Sequence, residues 1–125
     1  MTVSAIVVTY NRLDMLKEVI EALKSGTLVP DHIIVVDNNS RQDTVDFLTG
    51  LGEQIEYLRL EENLGGAGGF NQGVRYFMEN TEDDFVWLMD DDTVPHNNTL
   101  EELLNFASET KKFGFLASDV RWIDG

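Results

Sequence analysis

The sequence predicts an α/β fold: a mostly parallel sheet flanked by helices. Three observations lead there. Short, continuously apolar, β-branched runs alternate with helical stretches along the chain. Continuous apolarity marks strands covered on both faces, the usual state of a parallel sheet between helices. Several of these runs end in polar or charged residues, where a strand leaves its sheet and where open α/β sheets bind ligands. Such alternation joins parallel strands through right-handed crossovers.

Ser4 to Thr9 is the first predicted strand, followed by Tyr10-Asn11-Arg12 and a helix to about Ser25. Leu13, Leu16, Ile20 and Leu23 give that helix one apolar stripe, with Asn11 as its expected cap and Asp14 in the capping-box position. Gly26 and Pro30 end it. His32 to Asp37 is a second buried strand, and Ser40 is expected to cap a helix reaching about Gly50, with Val45, Leu48 and Leu51 inward. Ile55 to Leu60 alternates, as a strand nearer an edge does. A glycine-rich stretch, Asn63 to Gly73, opens a helix whose inner face is Phe70, Val74 and Phe77. Phe85 to Met89 is the fourth strand, with Trp87 as core or cleft wall. Thr99 and Glu102 resemble a capping box for a helix to about Lys112, and Phe113 to Ala117 reads as a fifth strand. The chain stops at Gly125 with no closing helix, which is expected of a fragment of a longer protein.

Composition narrows the function classes. The chain has 125 residues, enough for one domain with a real core, and 42% of them are hydrophobic. Cysteine is absent, which excludes disulfides and is compatible with a reducing cytoplasm. There is no run near the ~18 apolar residues of a membrane span and no basic start of a signal peptide. The formal charge of −14, from 23 acidic and 9 basic residues, argues against nucleic acid and anionic lipid as partners. It also means that a diphosphate needs a bridging cation to approach.

The stretch with the most chemistry is Asp83 to Pro95, where the fourth strand runs into Asp90, Asp91 and Asp92. If the extended geometry persists, Asp90 and Asp92 project to one side and Asp91 to the other. Paired carboxylates are hard ligands for Mg²⁺ or Mn²⁺, which keep positions open for substrate phosphates. A solvated acidic turn is the plainer reading, yet a turn has no need of three mutually repelling acids against a buried strand. Thr9, Tyr10, Asn11 and Arg12 end the first strand on the same rim, and Asp37 to Ser40 end the second. Asp37 suits a ribose hydroxyl or a base N–H, or else an Asx-turn, and Arg12 at a helix start suits phosphate. Gly65, Gly66, Gly68 and Gly69 follow the third strand rather than the first, so they match the dinucleotide fingerprint poorly. They imply close backbone approach to a ligand or to a neighbouring strand. His32 reads as structural and Trp122 as core or cleft wall; His96, just past Pro95, is a candidate ligand, although a lone exposed His usually is not one.

Four stretches in order resemble family 2 glycosyltransferases of the GT-A fold: Val7-Val-Thr-Tyr-Asn-Arg12, Ile34-Val-Val-Asp-Asn-Asn-Ser40, Asn63 to Gly73, and Leu88-Met-Asp-Asp-Asp92. The glycine stretch and triple Asp are most similar to galactofuranosyltransferase- and rhamnosyltransferase-like members. The resemblance implies that residues 1–125 are the N-terminal part of a single GT-A domain binding a UDP- or dTDP-sugar. It implies that Thr9, Tyr10, Arg12, Asp37, Asn39 and Gly66 face the nucleotide and Asp90 and Asp91 the sugar and diphosphate. Asp90 and Asp92 would hold Mn²⁺ or Mg²⁺ as an Asp-x-Asp pair. Such enzymes transfer the sugar with inversion to a hydroxyl of a saccharide or lipid-linked saccharide, in the cytoplasm or at the inner face of its membrane. Their base, and often a histidine metal ligand, lie in a C-terminal half, so no catalytic residue is assigned before Gly125. Two other readings remain: a nucleotide-binding module without transfer, and a haloacid-dehalogenase-type phosphatase suggested by Asp90-Asp-Asp-Thr-Val94.

Overall fold

The computed structural model describes residues 2–110 and 114–117. The elements run β1 (Val3–Thr9), α1 (Leu13–Ser25), β2 (His32–Asp37), α2 (Gln42–Leu51), a short 3-10 turn (Gly52–Gln54), β3 (Glu56–Arg59), α3 (Gly65–Asn80), β4 (Phe85–Asp90), α4 (Thr99–Thr110) and β5 (Gly114–Ala117). The five strands form one parallel sheet in the order β3-β2-β1-β4-β5. Strand order therefore grows outwards from β1 in one direction and then resumes on its other side at β4. The β1–β4 seam is the switch point of the sheet, where the crossovers diverge and leave a crevice. Register brings the strand ends level: Thr9 pairs with Asp37 across β1–β2, and Val8 with Asp90 across β1–β4.

The continuous apolarity of β1, β2 and β4 has the predicted cause, a core on each face of the sheet. Val3, Ala5, Val7, Ile33, Val35, Trp87 and Met89 point to one face, against Leu16, Val19, Ile20 and Leu23 of α1, Leu48 of α2 and Leu100 of α4. Ile6, Val8, Ile34, Val36 and Val86 point to the other, against Phe70, Val74 and Phe77 of α3. Trp87 is 1% exposed and belongs to the core rather than to a cleft wall. Among the described residues α3 packs on the second face, its crossover returning from β3 past β1 to β4, while α1 and α2 step the other way.

The glycines of α3 divide by role. A Cβ at Gly69 would lie 2.6 Å from Val8 Cγ1, and one at Gly73 would lie 2.6 Å from Ile6 Cγ2 and 3.0 Å from Val36 Cγ2. These two let α3 settle against the strands. Gly66 meets nothing within 4 Å and is free to face a ligand.

The expected caps form differently. Neither α1 nor α2 has a side-chain cap. Asn11 takes a left-handed φ of 53° instead, a conformation Asn tolerates better than most residues. From there its N–H donates to Ser40 Oγ at 2.8 Å, and its Oδ1 accepts the Arg41 N–H at 2.7 Å. Asn11 and Ser40 thus tie the two strand-end loops together. Thr99 begins α4, and its hydroxyl accepts the His96 N–H at 2.9 Å. Lys112, Phe113 and Trp122, all given roles from the sequence, lie outside the described residues.

At the opposite rim, His32 proves structural. Its Nδ1 and the Ser4 hydroxyl both approach Asp83 Oδ2 at 2.6 Å, and its Nε2 is 4.0 Å from Glu56. The hydrogen bond to Asp83 raises the His32 pKa, burial opposes it, and the charges of Asp83, Glu56 and Asp31 add to the rise. No helix among the described residues is long and apolar enough to cross a membrane.

Candidate functional site

A cleft of about 320 Å³ opens at the β1–β4 seam, lined by Val8, Thr9, Tyr10, Arg12, Asn38, Asn63, Gly65, Gly66, Asp90, Asp91 and Asp92. It lies beyond the carboxyl ends of the strands. Of the residues singled out from the sequence, it gathers Thr9, Tyr10, Arg12, Gly66 and all three aspartates.

The three acids are unequal. Asp91 is 5% exposed and turned into the end of β1, whereas Asp90 and Asp92 are open to the cleft. Asp91 Oδ2 accepts the Thr9 hydroxyl at 2.9 Å and the Tyr10 N–H at 3.4 Å. β4 ends at Asp90 and the next two residues turn, so the extended geometry assumed from the sequence does not persist, and all three acids line the same cleft. Arg12 spans the division: its Nη1 is 3.1 Å from Asp92 Oδ2 and 3.6 Å from Asp91 Oδ1. Burial raises the pKa of Asp91, against the lowering effect of Thr9, Tyr10 and Arg12. Burial in the cleft also raises that of Asp90, helped by repulsion from Asp92 and opposed by Arg12. Both shifts express one situation, negative charge held at a partly dry rim with too little positive charge to balance it.

Asp37 and Asn39 lie outside the lining of this cleft. Asp37 is fully buried; its Oδ1 accepts the Ser40 N–H at 2.8 Å, and its Oδ2 accepts the Tyr57 hydroxyl at 2.7 Å and Arg59 Nη1 at 3.1 Å. The Asp37–Ser40 bond is the Asx-turn considered from the sequence. Burial, then the bond to Asp37, push the Tyr57 hydroxyl up to about 12, with Arg59 acting against the rise. Asn39 adopts φ 72° and its Oδ1 accepts Arg59 Nη2 at 2.6 Å. These groups shape the loop after β2 from within.

Sequence reasoning missed Asn38. It is 2% exposed, its Nδ2 donates to the Gly65 carbonyl at 3.1 Å, and its Oδ1 accepts the Leu64 N–H at 3.1 Å. It thereby pins the entry to α3 against the end of β2 and sets the cleft wall at Gly65 and Gly66. Its place in an Asp-Asn-Asn-Ser turn was visible; its burial was not.

Two exposed carboxylates facing an open cleft match a hard divalent cation that takes its other ligands from phosphate and water. No group of three His, Cys, Asp or Glu able to hold a metal occurs among the described residues. Asp90 and Asp92 are thus two hard oxygen donors that fit such an ion, with its remaining positions left to other ligands.

Known proteins bear on this arrangement at three levels. Across 106 residues the chain is 40% identical to galactofuranosyltransferase GlfT1 of Mycolicibacterium smegmatis, covering 84% of this chain and 35% of that protein. The chain thus spans about a third of the length of the curated relatives it matches. The crystal structure of S. aureus TarS 1-349 in complex with UDP superposes with a TM-score of 0.71 at 26% identity, over 87% of this chain and 32% of that one. A mannosyltransferase from Pyrobaculum calidifontis, in complex with GDP-Man and Mn2+, shares the fold with a TM-score of 0.68 at 22% identity, over 85% and 32% of the two chains. The sequence pattern of Glycosyl transferase family 2 matches residues 4–120. The chain, with its GT-A-like sheet and its rim of acids at the switch point, belongs to glycosyl transferase family 2.

Proposed function

We propose that these residues are the donor-binding part of a GT-A glycosyltransferase. The cleft takes a nucleotide sugar, by preference a UDP- or dTDP-sugar, and the whole protein passes the sugar to a hydroxyl of a saccharide or lipid-linked saccharide with inversion. The observation that carries this is the convergence of Asp90, Asp92 and Arg12 in one cleft with the open backbone of Gly66. The 40% identity to a galactofuranosyltransferase supports a sugar of the galactofuranosyl class, and the likeness to S. aureus TarS 1-349 in complex with UDP supports the uridine nucleotide. A cytoplasmic site, at the inner face of the membrane for lipid-linked acceptors, goes with this reading.

In the reaction, the acceptor oxygen bonds to the anomeric carbon as the bond from that carbon to the diphosphate breaks. The nucleoside diphosphate leaves and a base takes the acceptor proton. Asp90 and Asp92 would hold Mn²⁺ or Mg²⁺, which when bound supplies positive charge to the leaving diphosphate. Arg12 donates to phosphate oxygens from the rim of α1, and charge-assisted bonds of this kind are about twice as strong as neutral ones. Asp91 holds the end of β1 through Thr9 and Tyr10 and so fixes the floor on which the diphosphate and sugar rest.

Comparing Asp92→Asn with Asp91→Asn tests the assignment. UDP titrations in Mn²⁺ should show the larger loss at Asp92, roughly tenfold or more, because it removes a ligand charge. A larger loss at Asp91 would place the cation on the buried side and refute this division of roles.

A further inference from the structure

Arg12 is the one basic side chain among the described residues lining the cleft, in a chain of net charge −14. Its guanidinium sits on two of the three acids, at 3.1 Å from Asp92 and 3.6 Å from Asp91. Nothing described anchors it elsewhere: among the described hydrogen bonds its guanidinium donates to Asp92 alone. Half of its side chain is exposed, at 53%, and it leaves the chain at the loop before α1 rather than from within the core. These are the properties of a group that fills a charge deficit and can swing away.

We infer that Arg12 is a built-in stand-in for the divalent cation, resting on Asp91 and Asp92 until a nucleotide diphosphate draws it off. This rests on the donor-binding reading above. A cation held by Asp92 would sit next to a guanidinium that already uses the same carboxylate, and like charges so close repel. The empty site therefore binds cations poorly. A diphosphate offers Arg12 several oxygens in a geometry that suits its planar fork better than one exposed carboxylate does. Once Arg12 turns to phosphate, Asp92 is released to the cation. Cation and nucleotide then bind with positive coupling, each raising the affinity for the other by the same factor. The device keeps an acidic rim from collecting free metal and commits it when the donor is present.

A fixed clamp is the competing role for Arg12, and free-cation uptake separates the two. Mn²⁺ binding to the 125-residue chain can be followed by electron paramagnetic resonance of the free ion, with and without UDP, for the native chain, Arg12→Gln and Arg12→Lys. Without UDP, Arg12→Gln should bind Mn²⁺ about two- to fivefold more tightly than the native chain, the range expected for losing a competing half-exposed ion pair. With UDP present that advantage should vanish or reverse. Arg12→Lys, with a mobile point charge in place of the fork, should move in the same direction by less and serves alone if the Gln variant does not fold. Unchanged or weaker Mn²⁺ binding by the variants, with UDP-dependent uptake intact in the native chain, overturns the stand-in role and leaves the donor site standing. Absence of Mn²⁺ uptake by the native chain even with UDP overturns both.

Discussion

Asp91 carries the Thr9 hydroxyl and the Tyr10 N–H on one buried oxygen, so two substitutions there should part company. Asp91→Ala leaves both donors without an acceptor and is expected to cost about 1–3 kcal/mol in urea unfolding at neutral pH. Asp91→Asn keeps an acceptor and removes a buried charge, and should be neutral or slightly stabilising. At the far rim His32 gives a pH signature. Its folded pKa is raised, chiefly by Asp83, so its contribution is fully present below its unfolded pKa near 6.5 and is lost as pH rises through the folded value. Its half-exposed side chain keeps the effect under about 1 kcal/mol. Unfolding midpoints from mildly acidic to mildly basic pH should show this fall in the native chain and lack it in His32→Gln. The acids at 90–92 were legible because three carboxylates after a buried strand have few structural uses. The commitment of Asp37 was not, because Tyr57 and Arg59 reach it from another strand, and only the β2–β3 register shows that they do.

Within α3, glycines only a few residues apart predict opposite signs. Gly69→Ala and Gly73→Ala gain helix propensity of about 1 kcal/mol but drive a Cβ to 2.6 Å from Val8 and Ile6. Overpacking of this kind costs about 1–3 kcal/mol, so both should lower the melting temperature. Gly66→Ala meets nothing within 4 Å and should leave stability unchanged or raise it, while weakening donor binding at the cleft wall. Thermal unfolding and UDP titration of the three variants check the split. The sequence left open whether Gly65, Gly66, Gly68 and Gly69 approach a ligand or a strand, and the structure sets Gly69 against β1, as it does Gly73 one turn on. Strands and helices were readable because apolar continuity and period depend on local sequence alone. The caps at Asn11 and Ser40 were misread because their partners sit on each other's loops, 29 residues apart.

For the molecule as a whole, the sheet order, the switch point and the acids follow one logic: strand ends brought level around β1 place polar residues from distant stretches on one rim. Family-level likeness was legible because four motifs lie on that rim or on the helix beside it. A base for the acceptor proton is not among the assignments, since the only carboxylates among the described cleft residues are Asp90, Asp91 and Asp92. The 125-residue chain is accordingly expected to bind donor without transferring sugar, as an assay with UDP-sugars and a panel of saccharide acceptors would show. Robust metal-dependent transfer would place the base within these residues. The central claim, that the acids act through a cation shared with the nucleotide, is tested most directly by calorimetry of UDP binding to the native chain in Mn²⁺ and after chelation. Chelation should abolish the binding or weaken it by at least about tenfold, because a strongly acidic surface repels bare diphosphate. Equal affinity in the two conditions would contradict it.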